Sequence, residues 1–174
     1  MTEKARYARL YRSRSPLRIW GTPVATVLLG SLLPSILPVV ALSPAVPPFG
    51  LMLLLGWRLL RPELWPLWIG LPLGFFDDIA TGHPLGTAMC LWTLVLVAID
   101  SFSIRLFWRD YWQDWLIAAI ALIAVGTMSW FFMHLGPGGA GGPLTASLPQ
   151  FGVAILLFPF IARLCARLDR WRLP

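Results

Sequence analysis

The stretch WLIAAIALIAVGTMSWFFMHL, residues 115–135, decides the fold class. Its 21 residues include no Asp, Glu, Lys or Arg. As a helix rising 1.5 Å per residue it spans roughly 30 Å, the thickness of a bilayer's hydrocarbon core. Outward from it lie five more apolar blocks, near Ile19–Leu42, Val46–Leu60, Leu64–Ala80, Leu85–Ile104 and Leu144–Leu164. The chain has 174 residues, 57% hydrophobic and 13% charged. A soluble domain carries about 25% charged residues, so an ordinary soluble globule is excluded. The length accommodates one compact all-α polytopic membrane domain.

Two blocks are irregular. Residues 19–42 contain Pro23, Pro34 and Pro38, which predicts a kinked or partly broken helix. Residues 46–60 are short for a span, reaching only ~22 Å as a helix. Local bilayer thinning or burial against neighbours is then required for that segment to cross.

Basic residues set the orientation. With six spans, one side of the membrane receives the arm 1–18, the turn 58–63, the linker 105–114 and the C-terminal tail. These hold all 14 Lys and Arg residues. Such segregation marks the cytoplasmic side, so both termini are expected in the cytoplasm. If residues 46–60 did not cross, the basic clusters would fall on opposite sides. The net charge of +6 is thus a topology signal, and nucleic acid is not an expected partner. Three regions follow: a basic arm 1–18, a six-span domain 19–168 and a basic tail 169–174.

Trp20, Trp57, Trp65, Trp108, Trp112, Trp115 and Trp171 all fall at the proposed cytoplasmic boundary, where indole rings concentrate. Cys90 and Cys165 lie on different blocks near opposite faces, too far apart for a disulfide. The basic N-terminal run resembles the start of a signal peptide. The apolar block after it is too long and lacks a small-residue cleavage site, so it is read as a retained first span.

Acids within apolar blocks are the candidates for chemistry. Asp77 and Asp78 end the third block, and no basic residue lies in that half of the chain's membrane domain. Adjacent helical residues point about 100° apart, which disfavours joint acid–base work on one bond. A proton or cation relay is a second reading. A structural turn, with carboxylates bonded to backbone N–H groups or to a partner, is preferred, because Thr81-Gly82-His83-Pro84 supplies turn chemistry. His83 and His134 match no zinc-ligand spacing. No Gly-x-Ser-x-Gly elbow is present. The glycine run 136–143 lacks the Lys and Ser/Thr of a phosphate loop. No catalytic, metal or cofactor site is therefore expected. Gly70 and Gly74 allow close helix approach, and the third block, its turn and the start of the fourth are expected to form a tight hairpin.

In that hairpin the sequence resembles a known family. Arg61-Pro62, Trp65-Pro66 and Gly74-Phe-Phe-Asp77-Asp78-Ile-Ala-Thr-Gly82-His-Pro84-Leu85-Gly86 are similar to the MreD family of rod shape-determining proteins. That family has an Arg-Pro after its second span, a Gly-x-x-x-Asp helix end and a Gly-x-Pro-Leu-Gly turn. Asp78 takes the family's Asp position, and Asp77 is an added acid before it. Size, span number and basic termini extend the similarity. The long basic arm and the Gly-rich loop are not family features.

The resemblance implies a non-enzymatic scaffold in the inner membrane, within the cell-elongation machinery (elongasome) that directs peptidoglycan synthesis. Implied partners are an MreC-type membrane protein, the MreB filament system, and the RodA glycosyltransferase with its transpeptidase. Anionic lipid would meet the basic arm. The motif residues Arg61, Pro62, Gly74, Asp77, Asp78, Gly82, Pro84, Leu85 and Gly86 would then bind a partner or shape the hairpin. The alternative is a substrate-binding membrane subunit of an energy-coupling-factor vitamin transporter, which is also small and six-span. Against it, the first block lacks the Ala-x-x-x-Ala interface usual in such subunits, and few polar groups converge as a ligand site requires.

Overall fold

The structure, a computed structural model, describes residues 16–36, 46–103, 111–135 and 143–172. Most of the basic arm (1–15), the first outer turn (37–45), the linker around Trp108 (104–110) and the glycine run (136–142) lie outside the described residues. The described residues form six α-helices and no strand. These are α1 (Pro16–Ile36), α2 (Phe49–Leu60), α3 (Gly70–Thr81), α4 (Thr87–Ser103), α5 (Tyr111–Leu135) and α6 (Leu148–Arg172). Short 3-10 turns at Leu67–Ile69 and Leu144–Ser147 lead into α3 and α6.

Helix α2 is the centre. Its sequence FGLMLLLGWRLL is apolar on every side except at Arg58, and every residue from Gly50 to Leu59 is buried. A helix that is hydrophobic all round belongs inside a bundle. Helices α1, α5 and α6 pack around it, and Trp57, Met52, Leu54 and Leu55 form the innermost layer. Twelve residues give only ~18 Å of helix, so α2 contributes through burial against its neighbours.

Helices α5 and α6 are long and apolar enough to cross a membrane. Each keeps large apolar side chains exposed, such as Ile120, Phe131, Leu156 and Phe160. They are joined by a bond that follows from one proline. Pro159 sits inside α6 and has no N–H for the carbonyl four residues earlier. That carbonyl, on Ile155, instead accepts a hydrogen bond from Trp115 Nε1 at 3.1 Å. The neighbouring helix thus satisfies the freed carbonyl, as apolar surroundings require.

Several boundaries differ from the sequence reading. Helix α1 is continuous through Pro23 and Pro34. Helix α5 starts at Tyr111, four residues ahead of the expected Trp115, because nothing between them breaks a helix and Asp114 suits the positive end of the first turn. Helix α6 continues to Arg172, past the expected end at Leu164. Cys165 and Asp169, one turn apart, are buried and keep the helix docked. Trp57 and Trp65 are buried in the core. Trp57 Nε1 donates to Thr26 Oγ1 of α1 at 2.9 Å, so its polar atom finds a partner within the protein. Cys90 and Cys165 are both free thiols.

Helices α3 and α4 form the tightest pair. A Cβ added to Gly74 would lie 2.6 Å from the Ala88 backbone, and one on Gly70 would lie 2.9 Å from Thr93 Cα. Such backbone-to-backbone approach needs residues without side chains. Gly74→Ala is therefore expected to cost ~1–3 kcal/mol, the usual range for overpacking. A fall in the thermal unfolding midpoint in mild detergent would register it. An unchanged midpoint would contradict the close approach.

Candidate functional site

The residues singled out by sequence lie at the two ends of α3. Arg61 and Pro62 precede it. Asp77, Asp78, Gly82, Pro84, Leu85 and Gly86 lie at or beyond its other end, and Gly74 is between them. The twelve residues of α3 separate the two groups by ~18 Å, so the motif forms two clusters.

At the first end, positive charge is tied down. Arg58 is 4% exposed. Its Nη1 donates to the carbonyls of Pro62 (2.6 Å) and Trp65 (3.0 Å), and its Nη2 donates to Asp100 Oδ1 of α4. One guanidinium thereby closes the α2-to-α3 reversal onto α4. Arg61, 51% exposed, donates through Nε (3.1 Å) and Nη2 (2.9 Å) to the buried Asp169 of α6. Pro62 participates through its carbonyl alone and is exposed. The planar, many-donor guanidinium suits this fork of acceptors. Sequence reasoning read Arg58 and Arg61 as membrane-boundary charges and missed Asp100 and Asp169 as their partners. An acid inside an apolar helix was the available signal.

At the other end, negative charge meets helix starts. Asp78 is 1% exposed. Its Oδ2 accepts from Gly86 N and its Oδ1 from Ala88 N, both at 2.8 Å. The carboxylate therefore caps the first turn of α4 from the end of α3, supplying acceptors for N–H groups that have none within the helix. The turn between is built for this. Gly82 ends α3 in the left-handed region at φ +71°, the usual helix stop. Gly86 has φ +99°, which a side chain strains. The Pro84 carbonyl accepts from Thr87 N at 3.1 Å. Leu85, between these fixed points, is 71% exposed.

Asp77 points elsewhere, as the ~100° step between neighbours dictates. Its Oδ1 lies against Gly50 in the first turn of α2, where a Cβ would meet it at 3.0 Å. A negative charge there is favoured by the helix dipole by ~0.3–1 kcal/mol. Pro48, the N-cap of α2, offers no side-chain cap. Buried Ser31 Oγ of α1 faces the same carboxylate without a hydrogen bond of good geometry. Ser35 Oγ of α1 donates to Ala80 O at 2.6 Å, which ties α1 to the end of α3. His83 Nδ1 pairs with Thr81 Oγ1 at 2.9 Å. Burial pushes the His83 imidazole below its usual pKa, against the opposing pull of Asp78. His134 pairs through Nδ1 with Trp130 O at 2.9 Å, its ring over the Trp130 indole.

Two outcomes follow. Asp78→Ala leaves the Gly86 and Ala88 N–H groups without acceptors, expected to cost ~1–3 kcal/mol. Amide hydrogen exchange should then accelerate at residues 86–90 and stay unchanged in α5. For His83 the unfolded state takes up a proton more readily than the folded one. Stability should therefore fall as pH drops below the usual value of 6.5 toward the lowered folded one. A thermal unfolding series from pH 7.5 to 5 should show that slope in the wild type and a flatter one in His83→Asn.

Asp78 binds backbone N–H groups, and Asp100 and Asp169 bind guanidinium groups. A family model described as rod shape-determining protein MreD matches residues 16–138. No curated protein matches the chain, and no solved structure does. The vitamin-transporter alternative gains no support from these comparisons. Since the matched stretch is well over half of the chain and contains the whole Arg61–Gly86 hairpin, the chain belongs to the MreD family of rod shape-determining proteins.

Proposed function

We propose that this protein is a non-enzymatic scaffold of the bacterial cell-elongation machinery. It crosses the inner membrane six times, keeps both termini in the cytoplasm and binds an MreC-type membrane partner. The family's role in rod shape supplies the context. The observation that carries the scaffold reading is the rigidity of the α3–α4 hairpin. Asp78 caps α4, Gly74 brings the backbones together, and the turn holds Pro84 and Leu85 out. A preorganised surface loses little conformational entropy on binding, and Leu85 is an exposed apolar anchor for a partner segment at the outer end.

In this reading the basic arm 1–18, the linker 105–114 and the tail 169–174 lie on the cytoplasmic side. They meet anionic lipid and the MreB filament system, while RodA and its transpeptidase assemble around the same complex. Those segments, the 58–63 turn and the adjoining Arg163 and Arg167 hold all 14 Lys and Arg residues, which supports the orientation. The central position of α2 supports a crossing by so short a helix, since protein surrounds it.

The test is co-purification of the MreC-type protein of the same cell from detergent-solubilised membranes. Asp78→Ala should reduce recovery of the partner several-fold, and Asp77→Ala should reduce it less. Recovery unaffected by either substitution would overturn the assignment of the hairpin to the interface. No complex with wild type would overturn the partner reading.

A further inference from the structure

At the Asp77 end of the bundle two recesses meet. The larger, about 390 Å³, is lined by Ser31, Gly50, Asp77, His83 and Gln150. The smaller, about 150 Å³, shares Asp77, His83 and Gln150 and adds the rings of Trp92 and Trp130. The larger volume falls in the range of small-molecule sites, and both combine apolar walls with a few converging polar groups.

The charge balance here is incomplete. Asp78, next door, has two backbone N–H donors. Arg58 and Arg61, at the far end, have Asp100 and Asp169. Among the described residues no Lys or Arg is paired with Asp77. The sequence holds no Lys or Arg in residues 19–57, 62–104 or 110–162, the stretches that build this end of the bundle. A carboxylate in an apolar recess is stabilised by an opposite charge, which a bound cation can supply beside the α2 dipole.

The chemistry of the walls narrows the class. Ser31 Oγ is buried without a hydrogen bond and lines the same recess as Asp77. The Gln150 side chain adds an amide oxygen. A carboxylate, a hydroxyl and an amide oxygen are three acceptors, which match the three N–H donors of a primary ammonium. The smaller recess adds two indoles to its lining, a ring type whose face attracts a cation. A quaternary ammonium has no N–H to offer and would leave the acceptors unmet.

We propose that this recess binds a primary ammonium group seated on Asp77, with Ser31 and Gln150 as further acceptors. The ammonium is carried either by the headgroup of an aminophospholipid or by a small soluble amine. Leu29, Leu33 and Ile79 are exposed on α1 and α3, the helices that supply Ser31 and Asp77, and offer apolar surface to acyl chains in the lipid case. The partner-binding reading above rests chiefly on the Asp78-capped turn, whereas this site is centred on Asp77, and lipid retention is read without any partner protein present.

The experiment uses the full chain in phosphatidylcholine nanodiscs, with and without phosphatidylethanolamine. Retained lipid is counted by mass spectrometry after extraction into detergent. In parallel, thermal unfolding in detergent is followed with ethanolamine or with tetramethylammonium. Wild type should retain phosphatidylethanolamine about tenfold over phosphatidylcholine, the ratio that loss of one charge-assisted hydrogen bond corresponds to. Asp77→Asn, nearly the same shape, should abolish that preference, and Gln150→Ala should reduce it. Stabilisation by ethanolamine as well would identify the headgroup chemistry alone as sufficient and a soluble amine as a source. Lipid preference without an ethanolamine effect would identify the lipid. Equal retention of the two lipids together with no difference between ethanolamine and tetramethylammonium overturns the proposal, as does an undiminished preference in Asp77→Asn. If Asp77→Asn does not fold, an undiminished preference in Gln150→Ala overturns it in the same way.

Discussion

Arg58 ends the innermost helix with its guanidinium almost wholly out of contact with solvent, and an unpaired charge in such a place costs several kcal/mol. The chain around it is arranged to prevent that. Two carbonyls of the reversal between α2 and α3 accept from one nitrogen, and Asp100 of α4 accepts from the other. The course of the chain from Arg58 to α3 is thus set by where a guanidinium's acceptors must stand. Arg61 extends the arrangement to α6 through Asp169. Three of the six helices, and the reversal that leads into a fourth, are held together at one end by two arginines.

The opposite end uses the reverse polarity. With no basic side chain available there, its acids turn to backbone. Asp78 caps α4, and Asp77 lies at the first turn of α2. Helix N-termini are partial positive charges, so two adjacent carboxylates serve two helices because their side chains diverge. The segregation of basic residues that marks membrane orientation thereby also determines how each end of the bundle is neutralised. Guanidinium–carboxylate pairs work at one end and carboxylate–dipole contacts at the other. Asp77 is the less completely satisfied of the two acids, and the recess beside it follows from that difference.

Much of this was readable before any coordinates. The six apolar blocks, the Gly74–Gly86 hairpin and the motif position of Asp78 rest on local patterns of composition and spacing. Other features lay beyond such patterns for a common reason. Trp57 and Trp65 have the sequence neighbours of boundary residues, and their burial in the bundle depends on what packs across from them. Arg58 and Arg61 looked like membrane-flanking charges, and their partners lie 42 and 108 residues away. The start of α5 and both ends of α6 were displaced because caps and docking, rather than hydropathy, decide where a helix begins and stops.

By itself, then, the sequence determined the helical class, the turn at Gly82–Gly86 and membership of a family recognisable from a short motif. These depend on hydrophobic block length, on glycine's access to positive φ and on residues close together in the chain. Only the tertiary structure decided that the shortest helix is the central one, that Arg58 pairs with Asp100 and Arg61 with Asp169, and that Asp77 and Asp78 face different helices. Those outcomes are set by long-range packing in an apolar interior. There each buried charge must find an opposite charge, a dipole or a hydrogen bond, and the groups able to supply one come from distant parts of the chain.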